Sequence, residues 1–269
     1  MLGFRERPLH AWPRRLRAAA LARFSNRPPR TQRVSVVTVG GARCKRIVFA
    51  DSHHAAIIAA RLRFFAAEAI YPGVILERER ELWVEYIEGE RVRDVDDRLV
   101  EAMSGVLAKL AKRAPRLVPL RETPWLQDLE RDLRFLREVG VIDEKLSTSL
   151  SEQASQLAPR SVWVGHDCTD AILKNFVWTP EGRLRAVDVE SLGADQLIGV
   201  GAAKASLRWL GGSRDDLLDG MKAAGAPDFG AYFDFVELAF RAFWQKSSVL
   251  EKKHRFVDPG VFAPFLETK

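Results

Sequence analysis

The sequence predicts an α+β fold, with a small β-rich first part followed by a mainly helical second part. Three observations predict it. Between Val34 and Tyr86, short runs rich in β-branched and aromatic residues are separated by a Gly-Gly pair and a charged turn, with one Ala-rich helical stretch among them. From Val95 onward, apolar residues recur at helical spacing in long segments. One strongly β-like stretch, Trp163 to Val189, interrupts those helices and carries most of the residues capable of chemistry.

Taken in order, Val34 to Val39 and Ala42 to Ala50 read as two strands of a hairpin around Gly40-Gly41. His53 to Ala69 has the Ala-rich periodicity of a helix, ended by Tyr71-Pro72-Gly73. Val74 to Leu76 and Leu82 to Tyr86 are two further strands, separated by the charged residues 77–81. Helices are expected over Val95 to Arg113, Leu126 to Glu138, Asp143 to Leu157, Leu197 to Leu210 and Asp228 to Trp244. The order implies an arm over residues 1–33, a β-rich lobe over 34–88 and a helical lobe over 89–269.

With 269 residues and 47% hydrophobic content, the chain is long enough to bury a substantial core. It holds no apolar run of bilayer-spanning length and no apolar signal core at its start, so a cytoplasmic location is the expectation. Cys44 and Cys168 form no C-x-x-C pair, which excludes a disulfide framework or a cysteine zinc site. The net charge of +6 is concentrated in residues 1–33, where nine Arg against one Glu give +8 and leave the rest of the chain at −2. A nucleic-acid partner is therefore not expected. Within the arm, Leu16, Ala20 and Phe24 share a helical stripe with Arg14 and Arg17 elsewhere, a pattern suited to an anionic lipid surface or to a solvated or core-docked segment.

The chemistry concentrates around Asp170, Lys174, Asn175, Asp188 and Glu190. Phe176 and Trp178 alternate on one run and Leu184 and Ala186 on the next, with Pro180-Glu181-Gly182 between them, so a hairpin brings its two ends together. Asp170 could orient a hydroxyl and accept its proton, while Asn175 and Asp188 offer hard oxygen ligands to Mg²⁺. Glu190 could serve as an auxiliary ligand, and Lys174 could either meet a phosphate or stand as an ordinary surface lysine. Asp167 could be read as the base instead, but five residues beyond it stands Ile172, which cannot bind a metal. The same acids and amides would equally suit the charged ends of an ordinary hairpin.

The D-x-x-x-x-N spacing of Asp170 and Asn175, with the D-x-E of Asp188 and Glu190, resembles the protein-kinase-like fold in its aminoglycoside phosphotransferase, choline kinase and lipopolysaccharide kinase branches. The resemblance runs from Val34 to about Leu210, and Leu82 to Glu90 looks like the strand and hinge of such kinases. It implies a two-lobed fold, ATP and Mg²⁺ as cofactors, and main-chain contacts to adenine at Glu85 and Ile87. It also implies a basic residue for the α- and β-phosphates, for which Lys45 is the candidate and Arg46 the substitute.

Three positions depart from the family pattern. Cys168 stands where a histidine is common, His166 lies two residues earlier, and no acid occurs between Ala55 and Ala67 to pair with the lysine. The function implied is transfer of the γ-phosphoryl group to a hydroxyl of a small molecule, saccharide or lipopolysaccharide-type acceptor. Gly193 to Gln196 leads almost directly into the next helix, leaving no long activation segment. The basic arm would then make peripheral contact with a membrane face. A minimal atypical serine/threonine protein kinase and a nucleotide-binding pseudokinase are the alternatives.

Overall fold

A computed structural model describes residues 5–8, 33–210 and 212–266. They form two compact units: one comprises the chain up to Asp94 together with Leu173–Leu192, the other Val95–Ile172 and the chain from Gly193 onward. The division expected near residue 88 is a cut along the sequence, and the units do not follow it. Residues 173–192 join the first unit because short strands and long side chains tie them to it.

In the first unit β1 (Arg5–Pro8), β2 (Arg33–Val39), β3 (Ala42–Val48), β4 (Val74–Arg78) and β5 (Glu81–Glu85) make an antiparallel sheet in the order β1-β2-β3-β5-β4. Val39 pairs with Ala42, so Gly40 and Gly41 form a two-residue turn, and their φ values of 56° and 84° are those a type I′ hairpin turn demands. Strand β1 was not expected. Arg-Glu-Arg-Pro has little strand propensity, and pairing with the edge of β2 holds it extended. The amphipathic stretch of the arm, residues 12–24, lies outside the described residues.

Helix α1 (Ser52–Phe64) is capped by Asp51, whose carboxylate accepts from the His54 amide at 2.7 Å. It buries Ala55, Ile58, Ala59 and Leu62, the i, i+3, i+4, i+7 stripe, and it packs on β4 and β5. It ends five residues before the expected Ala69, passing into a 3₁₀ turn over Ala66–Glu68. Strand β6 (Glu90–Arg91) pairs with β9 (Phe176–Trp178), which pairs in turn with β10 (Leu184–Ala186).

The second unit is built on helices α2 (Asp97–Ala111), α3 (Trp125–Glu138), α4 (Glu144–Leu157), α5 (Val200–Ala205), α6 (Arg214–Ala223) and α7 (Phe233–Leu250). Leu99, Met103, Leu107 and Leu110 of α2 are fully buried, each contributing about 1.5–3 kcal/mol relative to exposure. Sequence periodicity missed α6, where only Leu217 and Met221 face inward. It also missed β7 (Arg116–Pro119) and β11 (Leu192–Leu197), which flank β8 (Ser161–Cys168) in a three-stranded sheet. No helix among the described residues is long and apolar enough to cross a membrane.

Gly89 stands where the chain enters β6, and a Cβ there would lie 2.3 Å from the Trp178 carbonyl oxygen and 3.0 Å from its carbon. Neither backbone atom can move without breaking the β6–β9 pairing. Gly89→Ala is expected to lower stability by about 1–3 kcal/mol in urea unfolding. Gly105→Ala, in open space on α2, is the control and should be neutral or stabilising by up to about 1 kcal/mol.

Candidate active site

In the first unit the hairpin β9–β10 closes through Thr179, whose N–H donates to Arg183 O at 2.9 Å and whose carbonyl accepts from Gly182 N at 2.8 Å. The pairing of Phe176 with Ala186 continues one step further, where Val187 N donates to Asn175 O at 2.8 Å. Residue 175 and the 187–190 segment are thus brought together at the open end of the hairpin. Asn175 is buried, Asp188 half-buried and Glu190 exposed. Asp188 caps the 3₁₀ turn Val189–Ser191: its Oδ1 accepts from Glu190 N at 3.3 Å, and its carbonyl takes the Ser191 hydroxyl at 2.6 Å.

Lys45 reaches this turn from β3, its Nζ donating to Val187 O at 2.7 Å. Its cross-strand partners are Val36 and Val84, so its stem lies along apolar surface. Burial pulls the ammonium below the ordinary lysine range, against the opposing pull of the Asp188 and then the Glu190 carboxylate. Arg46, one residue on and on the other face, is committed to Glu81, donating through Nε at 3.1 Å.

Glu85 ends β5, and its carboxylate is gripped bidentately by Arg185, with both N–H···O distances 2.8 Å. Arg185 also donates to Tyr71 O at 2.9 Å, which fastens β10 to the edge of the sheet. The Arg185 hydrogen bond, aided by the Gly73 amide, holds the Glu85 carboxyl below its usual range despite partial burial. Tyr86 to Gly89 leaves the regular ladder, with Ile87 buried and Arg43 stacked 4.4 Å from the Tyr86 ring centroid. Lys174 is exposed on the 3₁₀ turn Leu173–Asn175.

Asp170 belongs to the second unit. It forms an ion pair with Lys204 of α5, a residue that sequence reasoning did not select. Asp167, set aside as a base, proves to be a clamp. Wholly buried, it accepts from Cys168 N at 2.6 Å on one oxygen, and from Gly199 N at 2.9 Å and Gly201 N at 3.1 Å on the other. His166 lies with Nδ1 3.4 Å from Arg113 O, and Cys168 is buried.

Among the described residues no three His, Cys, Asp or Glu side chains cluster as a metal site. Asn175, Asp188 and Glu190 carry oxygen donors, the ligand type that a hard cation takes.

No protein-family model matches this sequence, and no curated protein matches it either. Solved structures match its fold. The macrolide 2'-phosphotransferase MphH of Brachybacterium faecium superposes with a TM-score of 0.62 at 12% identity, over 94% of this chain and 99% of that one. A macrolide 2'-phosphotransferase type I gives 0.58 at 14% identity, over 98% and 100%. The choline kinase LicA of Streptococcus pneumoniae gives 0.56 at 10% identity, over 94% and 95%. The fold is protein-kinase-like.

Within this kinase-like fold, the Asp167 clamp and Lys204 had faint sequence signals. Gly199-Val200-Gly201 offers two amides unobstructed by side chains, and Lys204 is the one charged residue in the run Val200 to Ala205.

Desolvation raises the Asp167 carboxyl to about 6, even though backbone amides favour its charged form. Its folded value exceeds that of an exposed aspartate. It therefore contributes stability that is full below about pH 4 and is lost as pH rises through about 6. Asp167→Asn cannot titrate. The stability of the native protein relative to this variant should rise by up to about 3 kcal/mol as pH falls from about 8 to about 4. Urea unfolding across that range measures it, and a constant difference would mean an ordinary carboxyl.

Proposed function

We propose that this protein transfers the γ-phosphoryl group of ATP to a hydroxyl of a small molecule, with Mg²⁺ as the metal. One observation carries this reading: within a single compact unit the desolvated Lys45 ammonium lies against Val187, with the Asp188 and Glu190 carboxylates bearing on it. A cation beside two acids and an amide is what polyphosphate and its metal need together. The kinase-like fold supports the same reading, and LicA has been solved in complex with AMP.

In this proposal Lys45 binds the α- and β-phosphates, and main-chain groups of the Glu85–Ile87 stretch meet the adenine. The Glu85 N–H is already given to Gly73 O at 2.8 Å, so the contact falls to the remaining main-chain groups there. Asn175, Asp188 and Glu190 would hold Mg²⁺, which when bound offsets charge on the transferred group. Asp170 orients the acceptor hydroxyl and takes its proton, and Lys174 faces phosphate from the protein surface. A small acceptor is favoured because β11 leads from the Asp188 turn to α5 with no long segment between. A saccharide or lipopolysaccharide-type hydroxyl, with the +8 arm of residues 1–33 against an anionic surface, is the finer form of the proposal.

Thermal unfolding with MgATP, paired with phosphate release from ATP, tests it. Stabilisation by MgATP should survive Asp170→Ala and weaken in Asp188→Ala, and phosphate release should fall about 100-fold or more in each. Equal turnover in all three proteins would remove the proposed site. Stabilisation by ATP with no turnover by the native protein would indicate a pseudokinase.

A further inference from the structure

We infer that Lys204 is the positioning residue for Asp170, and that α5 with its continuation is the strut that sets the loop 167–171. The inference rests on the role proposed above for Asp170. Lys204 pairs with the Asp170 carboxylate and also donates to Thr169 O at 3.4 Å. Trp209 Nε1 donates to Ala171 O at 2.8 Å. At the start of the same helix, the Gly199 and Gly201 amides bind Asp167. These anchors come from residues 199–210, and each reaches Asp170 or a residue within three positions of it.

The helix geometry is suited to this. Residues five apart on an α-helix point about 140° away from each other. Ser206–Leu210, however, is a π-helical turn, whose wider winding brings Trp209 towards the face that carries Lys204. Side-chain exposures of 19% for Lys204 and 33% for Asp170 place the pair where attraction exceeds that of a surface ion pair. Lys204 thus fixes the rotamer of Asp170 while leaving part of it accessible to an acceptor hydroxyl.

The test uses the full chain with MgATP and water as the phosphoryl acceptor, measuring kcat and KM for ATP together with melting temperature. Lys204→Met is expected to lower kcat about 10- to 100-fold with KM within about twofold, and Lys204→Arg to retain at least about a fifth of native kcat. In an Asp170→Asn background, Lys204→Met should cost less than about twofold more, because its effect passes through the missing carboxylate. A lysine with a merely structural role would instead lower kcat equally in both backgrounds, which would overturn the inference. So would native kcat in Lys204→Met when Asp170→Asn is inactive, an outcome that leaves the proposed function standing. If Asp170→Asn turns over ATP as fast as the native protein, the function falls and the inference with it. Should Lys204→Met fail to fold, Lys204→Arg decides: native melting with kcat at the Asp170→Asn level would overturn the inference.

Discussion

The bond from the Lys45 ammonium to the carbonyl of Val187 is the constraint on which the first unit depends. It is a charge-assisted hydrogen bond across 142 positions of sequence, of a kind that contributes about 1.5–3 kcal/mol. It sets where the 187–190 turn lies against the sheet, and hence where Asp188 and Glu190 stand. The bond exists only because β3 is in register, with Lys45 opposite Val36 and Val84. A one-residue slip would present Arg46 instead and turn Lys45 to the other face. Pairing of Gly40-Gly41 in a two-residue turn and of Val39 with Ala42 holds that register.

The two units handle buried charge in opposite ways. In the first, a cation is drawn out of water and answered by carboxylates, and burial still lowers its pKa. In the second, a carboxylate is drawn out of water and answered by three backbone amides, and burial still raises its pKa to about 6. In each case desolvation outweighs the local compensation. Asp132, paired with Lys246 between α3 and α7, behaves the same way: burial raises its carboxyl despite the ammonium beside it.

What could be read from the sequence was whatever rests on short-range pattern. The β2–β3 hairpin, α1, the β4–β5 pair and the β9–β10 hairpin all announce themselves through alternation and turn residues, and strand parity puts Lys45 and Arg46 on opposite faces. The strands β1, β7 and β11 were not legible, because pairing to an existing edge, rather than propensity, makes them. The assignment of 173–192 to the first unit was hidden for a related reason. It depends on Arg185 reaching Glu85 and on β6 meeting β9, contacts between distant residues. The clamp role of Asp167 was not legible, because spacing picks out candidates for catalysis and says nothing about which carboxylate will be walled in. Lys204 was missed because the partner of Asp170 lies 34 positions away, by subtraction of the residue numbers, on a helix whose π turn has no sequence signature.

The central claim is that Lys45 is a phosphate-binding amine with a depressed pKa rather than a structural cation. An acyl-phosphate derivative of ATP, which transfers its acyl group to an amine held beside the bound phosphates, tests this directly when the labelled peptides are mapped by mass spectrometry. Lys45 is predicted to be the dominant site, with labelling suppressed by excess ATP. An unmodified Lys45, with label spread over exposed lysines and indifferent to ATP, would contradict the account.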